Sequence, residues 1–300
     1  MEGIPLRSKT RRCRESRVPY RGMPAENAPA PAVNPLSSPE PWDLVSEGYD
    51  ETTREFLAKF SEYGIEKLEL RTDDRFIDVA CGPGTTSLLA APLVRSVDAL
   101  DFSPEMLRIA RRNASDAGLT NVTFHEGDGQ DLPFSESSFD KGVSMFGVMF
   151  FPDRRRGMRE LARVIRPGGK VLISSWAPID MSSAMRTLFG ALSAIDPSRK
   201  MPERDISSLE NPEVFRKELE ESGFGSVTVE PVEMSLDFES PEAFWDGMVR
   251  GAAPLTLLRK RVGEEEFARQ TKIAHEYLRG ALRGVNSLAS VAYLAFGEKI

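Results

Sequence analysis

From Pro41 onward, short apolar runs alternate with longer segments whose apolar residues recur every three or four positions. The runs read as β-strands near 75–80, 95–101, 121–126, 139–145 and 169–176, with helices in the gaps. The clearest helix opens with Ser103 as N-cap and Pro104 at its first position, then sets Met106, Ile109 and Ala110 on one face. Another spans about 153–165 and stops before Arg166-Pro-Gly-Gly169, where proline and glycine prevent continuation. This alternation predicts an α/β fold, a doubly wound parallel sheet covered on both faces.

In such a sheet the crossovers are right-handed, so the carboxyl ends of the strands share one edge, and ligands bind there at the switch in strand order. The glycine loop after the first strand, Asp101, Asp128 and Met145 each end or follow a predicted strand. They are expected to converge on one crevice.

The loop itself carries the chemistry. Arg75-Phe-Ile-Asp-Val-Ala-Cys-Gly-Pro-Gly-Thr-Thr-Ser87 runs from an apolar strand into a tight turn, and Asp101 follows about 20 residues later. Glycines let backbone approach a ligand, and an acid at that distance can accept from ribose hydroxyls. Two cofactor classes compete for such a site. A nicotinamide dinucleotide brings a pyrophosphate, which wants amide donors and no carboxylate nearby. Asp78, four residues before Gly82, would repel it but would attract a cationic amino acid moiety. The third glycine of the dinucleotide pattern is also missing, because Ser87 stands there. Both departures favour S-adenosyl-L-methionine, which has a ribose, an ammonium and a sulfonium but no phosphate.

Charge and composition narrow the partners. The chain of 300 residues has a net charge of -7, yet residues 1–40 carry seven basic and four acidic residues, leaving -10 for the remainder. An acidic body argues against tracking a phosphate backbone, so nucleic acid is not expected as a partner. No apolar stretch approaches the roughly 18 residues needed to cross a bilayer. Residues 1–40 also hold seven of the 21 prolines and read as a disordered basic tail. Its arginines would suit an organelle transit peptide, against which Glu2, Glu15 and Glu26 count. Two distant cysteines, Cys13 and Cys81, form neither a disulfide framework nor a metal cluster, which suits a reducing, cytoplasmic setting. No metal site is expected.

Four motifs in order resemble the class I S-adenosylmethionine-dependent methyltransferases, in particular the type 11 group that includes the ubiquinone and menaquinone C-methyltransferases. They are Asp78-Val-Ala-Cys-Gly-Pro-Gly84, Asp101, Gly127-Asp-Gly-Gln-Asp-Leu-Pro-Phe134 with Ser138-Phe-Asp140, and Arg163-Val-Ile-Arg-Pro-Gly-Gly169. The resemblance implies a Rossmann-like, seven-stranded, mostly parallel sheet whose last strand is antiparallel, occupying residues 41–300. It places Asp78, Ala80, Gly82 and Gly84 along the methionine and ribose portion, with Asp101 and the adjoining Phe102 and Met106 at the adenosine. Asp128 would accept from the adenine amino group beside the backbone of Gly129, where family members often have alanine. Met145 and Phe146 would pack near the adenosine and the methyl group, and Trp42 to Asp50 resembles a cap helix that brings Tyr49 to the sulfonium.

Beyond Trp176, residues 181–222 read as helices, 226–238 and 288–296 as strands, and about 241–284 as a long helical insertion. The segments 181–222 and 241–284 are expected to form a lid over an acceptor pocket. Met181, Met185, Leu188 and Phe189 make its wall apolar and adaptable, which suits a small or medium organic acceptor. The competing role for the insertion is a homodimer surface. No catalytic base stands out, because His125 falls on an edge strand and His275 in a charged helical stretch. The reading is a small-molecule methyltransferase. An NAD-dependent oxidoreductase and a catalytically silent S-adenosylmethionine-binding protein are the alternatives.

Overall fold

The computed structural model describes residues 34–199, 202 and 205–300. Most of the basic tail, with Cys13, lies outside the described residues. Residues 34–39, read from the sequence as the end of that tail, are instead anchored. The Ser37 hydroxyl donates to the Phe150 carbonyl at 2.7 Å, and the Trp42 indole donates to the Leu36 carbonyl at 2.9 Å.

The elements follow as α1 (Glu40–Thr52), α2 (Arg54–Leu68), β1 (Arg75–Val79), α3 (Thr85–Ala90), β2 (Ser96–Asp101), α4 (Pro104–Asp116), β3 (Val122–Glu126) and β4 (Phe139–Ser144). Then come α5 (Arg154–Val164), β5 (Ile165–Trp176), α6 (Ser183–Ile195), α7 (Pro212–Glu221), β6 (Phe224–Asp237), α8 (Pro241–Gly251), α9 (Ala253–Val262), α10 (Glu264–Ala281) and β7 (Ser287–Lys299). The seven strands form one sheet in the order β3-β2-β1-β4-β5-β7-β6. β1 to β5 pair in parallel, and β7 runs antiparallel to both neighbours, as the resemblance implied.

The period of two explains why both faces are covered. On β1, Ile77 and Val79 enter one apolar cluster and Phe76 the other; on β5, Val171 and Ile173 oppose Leu172; on β7, Val291 and Tyr293 oppose Ala292 and Leu294. The first cluster is roofed by Met158 and Leu161 of α5 with Phe215 and Leu219 of α7, the second by Leu57, Phe60 and Leu68 of α2 with Leu107 of α4. Full burial of such side chains is worth roughly 1.5–3 kcal/mol each. Thus α7, which the sequence placed in a lid, is a covering helix of the sheet. The residues 241–284 form α8, α9 and α10, which bury Phe244, Trp245, Leu255, Phe267 and Leu278 against Leu188 and Leu192 of α6.

The strand order also fixes where a ligand can enter. The chain runs outward from β1 to β3 and then returns to β4 on the other side of β1, so the switch lies between β1 and β4.

Candidate functional site

Strain marks the switch point. Ala80, just past β1, and Phe146, just past β4, both hold left-handed backbone, at φ +59° and +58°, although neither is glycine. Each such residue costs about 1–3 kcal/mol and persists only where its surroundings enforce it. Here the two loops enforce each other. A Cβ on Gly147 would lie 2.4 Å from the Ala80 methyl, so glycine is required where the loops touch, and the Phe146 amide donates to Ser174 Oγ at 2.8 Å.

Between Ala80 and α3 the glycine loop turns through Gly82 at φ +55° and Gly84 at φ +85°. A Cβ on Gly84 would press on Ala110 of α4 at 3.3 Å, whereas one on Gly82 would meet nothing within 4 Å. Gly84 is therefore a packing glycine, and Gly82 bounds open space. Beside it, the Gly82 amide donates to Asp101 Oδ2 at 2.8 Å and the Ser103 amide to Oδ1 at 2.9 Å, fixing the carboxylate at the end of β2. Ser87 donates to Asp78 Oδ2 at 2.7 Å.

These two carboxylates set the electrostatics. Asp78 and Asp101 are 1% and 5% exposed. Among the described residues neither is ion-paired, and their amide and hydroxyl donors are neutral. Burial pushes Asp78 up to about 7, with the Asp101 charge adding to the effect, and burial pushes Asp101 up to about 6 against its amide donors. With no basic side chain paired to them among the described residues, the two carboxylates make the crevice suited to a cation and hostile to a pyrophosphate. Burial also pushes the thiol of Cys81 upward, so it is no nucleophile at neutral pH.

Helix α1 closes the crevice. Ser103 Oγ donates to Asp43 Oδ1 at 2.6 Å, Arg108 Nη2 bonds Glu47 at 2.6 Å, and Arg112 Nη2 bonds Asp50 at 3.0 Å, all joining α1 to α4. Asn113 then bridges Asp50 Oδ1 at 2.8 Å and the Pro83 carbonyl at 3.2 Å, tying α1 to the glycine loop itself. On its other side α1 meets α8, where a Cβ on Gly48 would fall 2.2 Å from the Arg250 carbonyl. Burial, with the charge of Asp101 adding to it, raises the phenol of Tyr49, so it stays protonated at neutral pH.

The remaining predicted residues divide. Met106 is buried with Val45 of α1 and Ala253 of α9, and Trp42 and Tyr49 pack around them. Phe102 is half-buried at the end of β2, and Met145 is half-buried just past β4. Phe146 lies deeper than the sequence placed it: its ring stacks on Trp176 at 4.3 Å and meets Phe60 edge-on at 5.6 Å. Asp128 is exposed and accepts from the backbone and side-chain amides of Gln130, both within 2.9 Å. Gly129 is buried, and a Cβ there would sit 2.5 Å from Phe151, whose ring occupies the space a methyl would need.

The sequence missed Asp43, Asn113 and Ser174, because nothing in spacing tells which polar residues on α1, α4 and β5 will face one another. His125 pairs with Asp98 at 2.8 Å on the edge strand β3, and His275 with Asp246 at 3.3 Å on α10. Neither touches the crevice residues described above.

A cavity of about 280 Å³ opens at the carboxyl end of β5, where Ser175, Trp176 and Ala177 line it. Its walls include Met149, Trp176, Met185, Phe189, Leu209 and Arg154.

A methyltransferase-domain model matches residues 76–169. That span holds both carboxylates and the glycine loop. Residues 76–169 form a methyltransferase domain. Over 130 residues the chain is 40% identical to an uncharacterised protein of Mycobacterium bovis, covering 43% of this chain and 47% of that one. It is 36% identical to a demethylmenaquinone methyltransferase of Clavibacter sepedonicus, covering 42% and 50% of the two chains. It is 34% identical to the uncharacterised methyltransferase YcgJ of Bacillus subtilis over 39% of this chain and 46% of that one. The crystal structure of YcgJ shares the fold, with a TM-score of 0.54 over 80% of this chain and 97% of that chain at 22% identity. The chain spans about half the length of the curated relatives it matches. The methyltransferase domain therefore accounts for the sheet edge from β1 to β4, while α1, α6 and α8 to α10 lie outside the matched span. Among the described residues no helix is long and apolar enough to cross a membrane, and no group of three or more potential metal ligands occurs.

Proposed function

We propose that this protein transfers a methyl group from S-adenosyl-L-methionine to a small or medium organic acceptor. One observation carries the reading: two buried carboxylates, Asp78 and Asp101, flank an open glycine turn, and among the described residues no basic side chain pairs with either. When bound, S-adenosylmethionine supplies a methyl already activated on a sulfonium. The residues fit it. Asp78 would hold the ammonium, Asp101 the ribose hydroxyls, and Met106 with Phe102 the adenine, while Asp128 would take the adenine amino group beside Gly129.

The chain's own contribution is then orientation and the exclusion of water. Tyr49, kept protonated by burial, offers a neutral ring to a cation, an interaction worth about 0.5–2 kcal/mol as dehydration increases. Holding donor and acceptor aligned in a closed site can contribute about 7–11 kcal/mol. A base is required only where the acceptor must lose a proton on the protein. The segments α6 and α8 to α10 act as the lid, α8 and α9 against the α1 cap and α6 beside the cavity.

The similarity to a demethylmenaquinone methyltransferase supports an organic acceptor. A dinucleotide finds less support, since its pyrophosphate would face both carboxylates. Calorimetric titration with S-adenosylhomocysteine and with NAD tests the reading. Micromolar binding of the first and none of the second is expected; the reverse result sinks it.

A further inference from the structure

We propose that the cavity at the end of β5 receives the acceptor and selects apolar molecules that carry an anionic oxygen, with Arg154 as the group that recognises it. The selection of methyl acceptors rests on the methyl-transfer reading; the recognition itself does not.

The cavity, about 280 Å³, is just below the usual volume range for ligand sites, so it fits a body of one or two rings. Its apolar wall is made of two thioethers, Met149 and Met185, and two ring systems, Trp176 and Phe189, closed by Leu209. Methionines adapt to shape but offer a ligand no charge. Two of the polar lining groups are already committed. Ser182 Oγ accepts from the Val291 amide at 3.1 Å, and Glu210 is engaged by a partner within the chain.

Arg154 differs from them. Its Nε and Nη2 bond the two oxygens of Glu218 at 2.8 and 2.9 Å, and Nη2 also donates to the Ser207 carbonyl at 2.7 Å. Those contacts lock the fork in place, and among the described residues nothing accepts from Nη1. Glu218 does not neutralise it alone, because Arg155 Nε shares the same buried carboxylate at 3.0 Å. The further acids nearby are occupied or wet. Asp205 accepts from the amide and hydroxyl of Ser207 at 2.9 and 2.6 Å, and Glu221, half exposed, lies 3.8 Å from Arg155. A pre-set guanidinium that lines an apolar cavity and keeps one nitrogen without an acceptor among the described residues is suited to receive a carboxylate or a phenolate.

The test uses the full chain, saturated with S-adenosylhomocysteine, and three probes near pH 8: naphthoate, naphthamide and an ionised nitronaphthol. Calorimetry should show naphthoate, the nitronaphtholate or both binding at least about tenfold more tightly than naphthamide; which of the two leads tells carboxylate from phenolate recognition. Arg154→Gln should bring these ratios to within about twofold of one while S-adenosylhomocysteine still binds. Arg155→Gln, which removes the other partner of Glu218, should leave the ratios intact. Leu209→Trp, which fills the cavity and keeps Arg154, should abolish binding of every probe, and it keeps the idea testable if Arg154→Gln does not fold. Naphthamide binding as tightly as both anions, a ratio that survives Arg154→Gln, or no probe binding at all would overturn the proposal. Failure of S-adenosylhomocysteine to bind the wild-type chain would instead sink the donor reading, and the probe ratios can still be read without it.

Discussion

Ser87 Oγ donates to Asp78 Oδ2 at 2.7 Å, so the residue standing where a dinucleotide loop would have its third glycine holds the acid that a dinucleotide would not tolerate. The two departures from the dinucleotide pattern are one device. A hydroxyl on the first turn of α3 keeps a buried carboxylate oriented and offsets part of its burial cost, which still leaves Asp78 up at about 7.

Asp78→Asn is therefore expected to stabilise the ligand-free protein and to weaken its binding of S-adenosylhomocysteine. The folded state holds its proton up to about pH 7, whereas an unfolded aspartate releases it near its ordinary 3.8. Between those values the native state binds the extra proton, so stability falls as pH rises through the window and levels off above it. Melting curves should show the variant several degrees more stable at about pH 8, with the gain shrinking toward pH 4. Wild-type affinity for a cationic ligand should drop roughly tenfold per unit below pH 7, and the variant should lose that dependence. A variant that is less stable at pH 8 would refute the assignment.

Asp101 is expected to matter more for affinity than for the fold. Its oxygens take the Gly82 and Ser103 amides, and in the proposed complex also the ribose hydroxyls. Asp101→Ala should weaken S-adenosylhomocysteine at least about 100-fold, as loss of charge-assisted bonds at a buried site predicts. Calorimetry that finds affinity unchanged would remove Asp101 from the site.

The sequence disclosed the sheet because its signals were local. Short apolar runs such as Phe76 to Val79, the Ser103-Pro104 helix start and the glycines at 82 and 84 each report their conformation without help from distant residues. Phe146 was placed in the crevice because it follows β4, but its burial against Phe60 and Trp176 depends on α2 and β5, some 86 and 30 positions away in the chain. The anchors of α1 were illegible for the same reason. Asp43 and Ser103 are 60 residues apart, and neither belongs to a pattern that names the other. Helix α7 read as part of a lid because an amphipathic stripe says that a face is buried, not against what.

Gly129 shows how a departure from a family pattern can be compensated. The Phe151 ring fills the volume of the missing methyl and also lies 2.5 Å from where a Cβ on Gly157 would be, so it is pinched between two glycines. Gly129→Ala should cost about 1–3 kcal/mol through overpacking. Adding Phe151→Leu should return much of that, a coupling that a thermal-melt double-mutant cycle measures directly. Strict additivity of the two substitutions would mean that the ring is not what excludes the methyl.

The bond between Asp43 and Ser103 should govern how long a bound ligand stays. Ser103 Oγ caps α4 by accepting from the Met106 amide at 3.1 Å and donates at 2.6 Å to Asp43, so one hydroxyl links the floor of the crevice to its cover. Asp43→Ala leaves the cap of α4 intact, and the two Glu47 ion pairs with Arg108 and Arg112 still hold α1 loosely from the solvent side. Bonds of that exposed kind contribute only about 0–1 kcal/mol each. A hydrogen bond to a charged, half-buried acceptor is worth more, about 1.5–3 kcal/mol, and it lies nearer the ligand. The variant should therefore release S-adenosylhomocysteine about ten times faster, with little change in association rate, because opening of α1 limits escape. Stopped-flow fluorescence from Trp42, which sits on α1 beside Tyr49, can follow that release. An unchanged dissociation rate would show that α1 is a fixed wall and that ligands leave by another face.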